Sequence, residues 1–522
     1  MENAEIEGSV ASAQGDQRKD RSGDDGRRAE VLGMARQGGT NLGGAIFNQA
    51  LRFAITLVIA RLLGASVTGL YFQSFAILAF LSLVASAAAT DTLTRFVAVH
   101  RADGDDAALR GTIRLGLTTT AAIATIMGIT LFALAPWLAV HAFHDELRLI
   151  PVLRFVAVAL PATAYTDAAL GATRGFKTMK PYALINLVFE PAFRILLTLS
   201  MIWAGWGLTG VMIALVVTNT TSAVLASIAL KRLVGRNDAR PRYYVRELLT
   251  FSAPSWLSNI ASNGLLWADT ILLGIYGSAA EVGVYQVATR LTLLATIFVT
   301  PVTNSFAPRI ADLYRRGRYE LLKRAFALIT SWVVRLSLPG FVVLLVFPRE
   351  LLAIFGPAFQ AGVVVTQIMT VAWLFSAASG PCGYMLTMSG RPIVQMANYL
   401  AAVAFNVGLN IVLIPRFGMS GSAIAWALTI ALLAIARMTQ VRVFLKMLPF
   451  NLGLAKGLAA GVIAGGVALS IHALMGGGFA SLVVGAAATI VAYVTATTLL
   501  GIDADDRVVL DAVRARFRGR RA

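Results

Sequence analysis

Between residues 42 and 501 long apolar runs follow one another, separated by short polar breaks. A bilayer-crossing helix needs roughly 20 mainly apolar residues. The pattern predicts fourteen such helices, at 42–63, 68–90, 113–140, 150–171, 182–204, 207–230, 247–274, 283–306, 326–347, 361–388, 393–414, 419–440, 453–475 and 480–501. The last two are rich in Gly and Ala. Pro161, Pro191, Pro254, Pro301, Pro339 and Pro381 fall inside runs and predict kinks or breaks, which a bundle tolerates where neighbours satisfy the freed carbonyls. One stretch organises the rest. From Trp267 to Arg290 an apolar run carrying Asp269 ends at Gly277, a polar turn follows, and a second run opens at Gly283 and carries Arg290.

Two internal matches say the chain is built twice. Gly207-x-x-Gly210-x-x-Ile213-Ala214 returns 211 residues later as Gly418-x-x-Gly421-x-x-Ile424-Ala425, and Gly69-x-Tyr71 returns 214 residues later as Gly283-x-Tyr285. The repeated unit holds six spans. An even number sets the copies parallel about an axis along the membrane normal, with the substrate site between them. The expected organisation is an all-α integral membrane protein of two six-helix lobes, 41–235 and 236–445, followed by two extra helices in 446–501. A polar tail (1–40) and a basic tail (502–522) flank them. The first is too poor in large apolar residues to fold and is expected to be disordered.

Composition agrees: 57% of residues are hydrophobic and only 14% charged, far from a soluble domain. The net charge of +18 would suggest a nucleic-acid partner in a soluble protein, but topology explains it here. With the N-terminus inside, 36 of the 45 Lys and Arg residues fall on the inner face and five on the outer face. Both termini are therefore expected in the cytoplasm. The basic runs Lys231 to Arg246 and Arg507 to Arg521 read as orientation signals and as contacts to anionic lipid. No cleavable leader is expected, so the first span directs insertion. The single cysteine, Cys382, excludes an internal disulfide.

An ionisable side chain deep in a bilayer is expensive and so a functional candidate. Arg52 and Arg335 sit mid-span, too deep to reach a headgroup easily. Arg290, two turns from the outer end of its span, has snorkelling as the competing reading, and Asp269 is its candidate partner across the hairpin. Glu190 and Arg194 are four apart on one helix face and read equally well as a self-neutralising pair. Tyr285, Gln286, Asn186, Asn259 and Asn263 could line the same space or simply bond between helices. Arginines with few buried acids point to an anionic ligand, since guanidinium pairs with phosphate oxygens and stays charged when desolvated. No catalytic residue, metal site or cofactor is expected, and a coupling ion, H+ or Na+, is left open. Asp103 with Asp105, Asp503 with Asp505, and His141 and His144 with Asp145 read as solvated loop.

Several of these residues carry a family resemblance. Ala60-Arg61-Leu62-Leu63-Gly64 followed by Gly69-Leu70-Tyr71 resembles the polysaccharide-synthesis (O-antigen and exopolysaccharide) flippases of the MOP exporter superfamily, which are MATE-like. Asp269 with Gly283-Val284-Tyr285-Gln286, the stretch Pro301 to Pro308, and Leu413-Ile414-Pro415-Arg416-Phe417-Gly418 do the same, over about 42–445. The resemblance implies a bacterial inner-membrane transporter with two lobes that open alternately. Its cargo would be an oligosaccharide on polyprenyl pyrophosphate, and a polymerase and glycosyltransferases would be its partners. A cationic family cavity carries over to Arg52 and Arg290. The Arg-Asp pair of lipid II flippases is absent, because Phe53 follows Arg52. Two other readings stay open: a cation-coupled multidrug antiporter, kept alive by Asp269 and Glu190, and a membrane glycosyltransferase or polymer ligase, for which the outer loops near 141–150 and 348–361 are short.

Overall fold

The computed structural model describes residues 47–143, 146–235, 240–297 and 299–501. The expected tails, and His144 with Asp145, lie outside them. Among the described residues every regular element is a helix. In the first half these are α1 (Glu2–Ala102, described from Phe47), α2 (Asp106–Trp137), α3 (Leu149–Gly175), the short α4 (Lys180–Tyr182), α5 (Glu190–Trp203) and α6 (Gly207–Val234). In the second half they are α7 (Val245–Tyr276), α8 (Ala279–Ala295), α9 (Val299–Arg315), α10 (Tyr319–Val346), α11 (Pro348–Ala353), α12 (Val363–Ala378), α13 (Cys382–Met388) and α14 (Pro392–Leu445). Then come α15 (Leu452–Met475) and α16 (Phe479–Leu499).

Ten helices among the described residues are long and apolar enough to cross a membrane. Two of them, α1 and α14, are each divided by one non-helical residue, Gly64 and Gly418. Apolar length alone does not yield fourteen spans: α8 has 17 residues, and α7 is diluted by Ser252, Ser255, Asn259, Ser262, Asn263 and Asp269. Of these, Ser252, Ser255, Asn259 and Asn263 serve the site below. Large apolar side chains such as Trp203, Val462 and Leu474 stand exposed on the outside of the bundle. Only lipid makes that arrangement stable.

The repeats have the same backbone. Gly207 and Gly418 both take left-handed conformations (φ +50° and +54°), which lets each open a helix straight after the previous one ends. The second match is a contact between the copies. A Cβ on Gly69 would overlap the carbonyl oxygen of Ala279, and one on Gly283 would overlap that of Ala65. Ala279 is Ala65 plus 214, so each copy's glycine receives the other copy's carbonyl, as a two-fold axis between them demands. The second helix of the second copy's pair, α8, opens with a capping box instead of a kink, Ser278 and Glu281 satisfying each other's backbone N–H.

Within the first half, α2, α3, α5 and α6 pack around α1; within the second, α10, α12 and α14 pack around α7 and α8. The halves meet through α1 against α7 and α8, while α15 and α16 lean on α10. Two of the expected prolines mark breaks or helix starts, while Pro161 and Pro339 lie inside the uninterrupted helices α3 and α10. Pro381 sits in the break between α12 and α13, and Pro191 opens α5 after a π-helical stretch, 183–189.

Candidate substrate-binding cavity

A cavity of about 400 Å³ lies within the first half and is closed on one side by α7. The second leg of α1 brings Ser82 and Asp91, α3 brings Asp167 and Arg174, α5 brings Glu190 and Arg194, and the first leg of α1 brings Arg52. Arg194 is buried (8% exposed) and ion-paired to Glu190 one turn before it. It also donates through Nη2 to Asn219 Oδ1 at 3.0 Å, and Asn219 in turn donates to Thr163 Oγ1 at 3.0 Å. Its guanidinium lies 5.5 Å from the centre of the Phe75 ring, and its Nε has no hydrogen-bond partner among the described residues. Arg52 donates to Asn48 Oδ1 at 2.9 Å, and the Asn48 amide is held by the Leu187 carbonyl at 3.0 Å. This chain of bonds fixes the arginine without neutralising it.

A small void of about 30 Å³ continues the cavity, sharing Arg52, Phe75, Glu190 and Arg194 and adding Arg290. Arg290 reaches it by stacking on Phe72 and Trp267, 5.5 and 6.0 Å from the ring centres. Aromatic faces stabilise a desolvated cation by roughly 2 kcal/mol without cancelling its charge. Three arginines from α1, α5 and α8 thus converge with Glu190 at the seam between the halves. Asn186, Asn259 and Asn263 also line the main cavity.

The remaining candidates lie elsewhere. Arg335 donates to the Gly453 carbonyl at 2.9 Å and packs on Gly457, so it joins α10 to α15. Asp269, buried at 3% exposure, does not meet Arg290. It accepts from Asn410 Nδ2 at 2.7 Å and Tyr285 Oη at 3.3 Å, and Gln286 bonds to Thr270 alongside. These five tie α7 to α8 and α14 inside the second half.

The cavity also holds more acid than the sequence reading allowed. Asp167 accepts from Ser82 at 3.1 Å. Asp91 accepts from Ser255 at 3.0 Å and Asn259 at 2.6 Å, which clasps α1 to α7. With Arg174, whose Nε has no hydrogen-bond partner among the described residues, the described lining carries three carboxylates and three guanidiniums. Asp167 is the one acid in the apolar run 150–171, so a search of the runs for acids as well as arginines would have found it. The same clasp is extended by Thr92 with Ser252 at 2.7 Å and by Trp256 donating to the Val84 carbonyl at 2.8 Å. It closes the end of the cavity opposite the Gly69–Gly283 crossing.

A polar, two-signed chamber on the seam of a duplicated helical bundle is the layout of a carrier. Residues 35–314, more than half of the chain, match the sequence profile of the family described as polysaccharide biosynthesis protein, and 254–412 match the MatE profile. The chain belongs to the polysaccharide biosynthesis protein family. It is a multi-pass transporter of the MOP superfamily and not an enzyme. A probable flippase, AglR, from Haloferax volcanii is 23% identical over 80% of this chain and 85% of its own. Among solved structures, the lipid II flippase MurJ in an inward closed conformation superposes with a TM-score of 0.70 at 11% identity, covering 87% of this chain and 97% of its own. An inward-facing multidrug resistance MATE family transporter gives 0.63 at 15% identity, covering 77% and 98%. At these identities the structural likeness carries the fold alone.

Proposed function

We propose that the protein flips a polyprenyl-pyrophosphate-linked oligosaccharide across a bacterial inner membrane for polysaccharide assembly. The observation that carries this reading is the convergence of Arg52, Arg194 and Arg290 on a small void beside the main cavity, which Arg52 and Arg194 also line, at the seam of an apolar bundle. Pyrophosphate would sit on these arginines, and Asp91, Asp167 and the lining amides would accept and donate hydrogen bonds to sugar hydroxyls. The lipid tail would stay among the acyl chains. Release of the Asp91–Ser255–Asn259 clasp opens one end, while the glycine crossing holds the other. Dragging the charged head through hydrocarbon is thereby replaced by alternating exposure of a hydrated site. Both termini would lie in the cytoplasm, next to the glycosyltransferases that supply the cargo and a polymerase that consumes it. Asp269 and Glu190 are the groups we assign to coupling, if H+ or Na+ drives the cycle.

The test is translocation of a fluorescent polyprenyl-pyrophosphate oligosaccharide in proteoliposomes. The double variant Arg52→Ala/Arg290→Ala, which leaves the Glu190–Arg194 pair intact, should lose at least about a hundredfold in rate. Translocation at the wild-type rate would refute the assignment. A second reading, cation-coupled drug export, is favoured by the three carboxylates of the cavity. Drug efflux in the same vesicles, unaffected by that double variant, would decide for it.

A further inference from the structure

The second half contains a cavity of its own, of about 340 Å³, to which the function proposed above gives no part. It is walled by Val299 and Thr303 of α9, the break around Gly380 and Pro381, Tyr384 of α13, and Gln395 and Arg437 of α14. Arg437 is the cation in this wall, and no carboxylate lines it. Its guanidinium lies 4.8 Å from the centre of the Tyr399 ring, which holds it flat. Its Nε and Nη2 are buried and have no hydrogen-bond partner among the described residues. These two nitrogens form one edge of the guanidinium, and their N–H bonds run parallel, the spacing that a phosphate or carboxylate accepts with two oxygens. Nearby amides do not compete for that edge. Asn398 and Gln440 are closed on each other by reciprocal hydrogen bonds of 2.7 and 2.8 Å. A buried guanidinium cannot shed its proton, so an unmet fork beside a cavity is compensated only by what enters.

We propose that this cavity is a second anion site, which takes the phosphate of a lipid headgroup on the Nε–Nη2 edge of Arg437. The positive-inside count places its end of α14 on the inner side, where such headgroups lie. Two lipids supply this chemistry, a polyprenyl pyrophosphate and an ordinary anionic phospholipid.

The experiment titrates the full chain in phosphatidylcholine nanodiscs with farnesyl pyrophosphate and reads stoichiometry by calorimetry. The wild type should bind two equivalents, and Arg437→Ala one, at an unchanged affinity for the remaining site. Arg437→Lys, which keeps the charge and loses the fork, should fold as the wild type does and weaken the second site about tenfold or more. The Arg52→Ala/Arg290→Ala variant should keep the Arg437-dependent site and lose the other, so failure of the flippase assignment leaves this result untouched. In phosphatidylglycerol nanodiscs, disappearance of the Arg437-dependent equivalent assigns the site to bulk phospholipid, and its persistence assigns it to the pyrophosphate lipid. Equal stoichiometry and affinity in wild type, Arg437→Ala and Arg437→Lys would overturn the proposal.

Discussion

The two halves repeat one plan, and their cavities show how far the copies have separated. Each cavity is walled by corresponding spans: the second, fourth, fifth and sixth of the first copy, and the eighth, tenth, eleventh and twelfth of the second. In the first half, Glu190 neutralises Arg194, and Asp91 and Asp167 are held by hydroxyls and an amide. In the second half Arg437 rests on an aromatic ring and faces open space. Low dielectric makes every uncompensated charge expensive, so a site that balances itself stays formed whether loaded or empty. A site with one sign is completed by its occupant. The first arrangement suits cargo that must come and go; the second suits a group that is retained.

The largest expected effect comes from unbalancing the first cavity. Arg194→Ala strands Glu190 in the interior and should cost about 3–5 kcal/mol of stability, read as a fall in thermal midpoint. Glu190→Gln/Arg194→Met removes both charges at similar volume. It should recover most of that stability and still fail to transport. Recovery of both together would mean that the pair is only structural and would erase the contrast between the halves. A smaller effect tests whether the halves need to move against each other. Gly69→Val drives a side chain into the Ala279 carbonyl and should cost about 1–3 kcal/mol and most of the transport rate, while farnesyl pyrophosphate still binds at Arg437. The smallest effect is expected at Arg335. Arg335→Met removes a bond to the Gly453 carbonyl, so it should lower stability by about 1 kcal/mol and leave transport at the wild-type rate.

Arg335 also shows where a linear reading stops. Position inside an apolar run, countable from residue numbers, selects Arg52, Arg194, Arg290 and Arg335 alike, although only Arg52 and Arg335 sit mid-span. Only the angle around the helix axis separates the three that meet at the seam from the one that turns to α15, a helix outside the repeated unit. Arg174 and Arg437 were lost for the opposite reason. Arg174 stands just past the apparent end of its run at 171 and Arg437 three residues before the end of its run at 440, so both read as charges at the membrane surface, but the helices continue to Gly175 and Leu445. The repeat was legible because glycine marks backbone geometry directly. Gly207 and Gly418 need left-handed turns, and Gly69 and Gly283 need room for a carbonyl. The partner of Asp269 was not legible, because Asn410 lies 141 residues away and nothing local announces it.

The reciprocal meeting of Gly69 and Gly283 has a mechanical meaning. On the alternating-access reading proposed above, a joint where main chain meets main chain, with few side chains to strip apart as it turned, would act as an axle. Rotation about it swings the far ends of both halves by the largest arc, and those ends carry the polar latch. A protein hinged this way spends little at its bearing and keeps the switchable bonds at the rim, where a modest change in hydration is enough to let go.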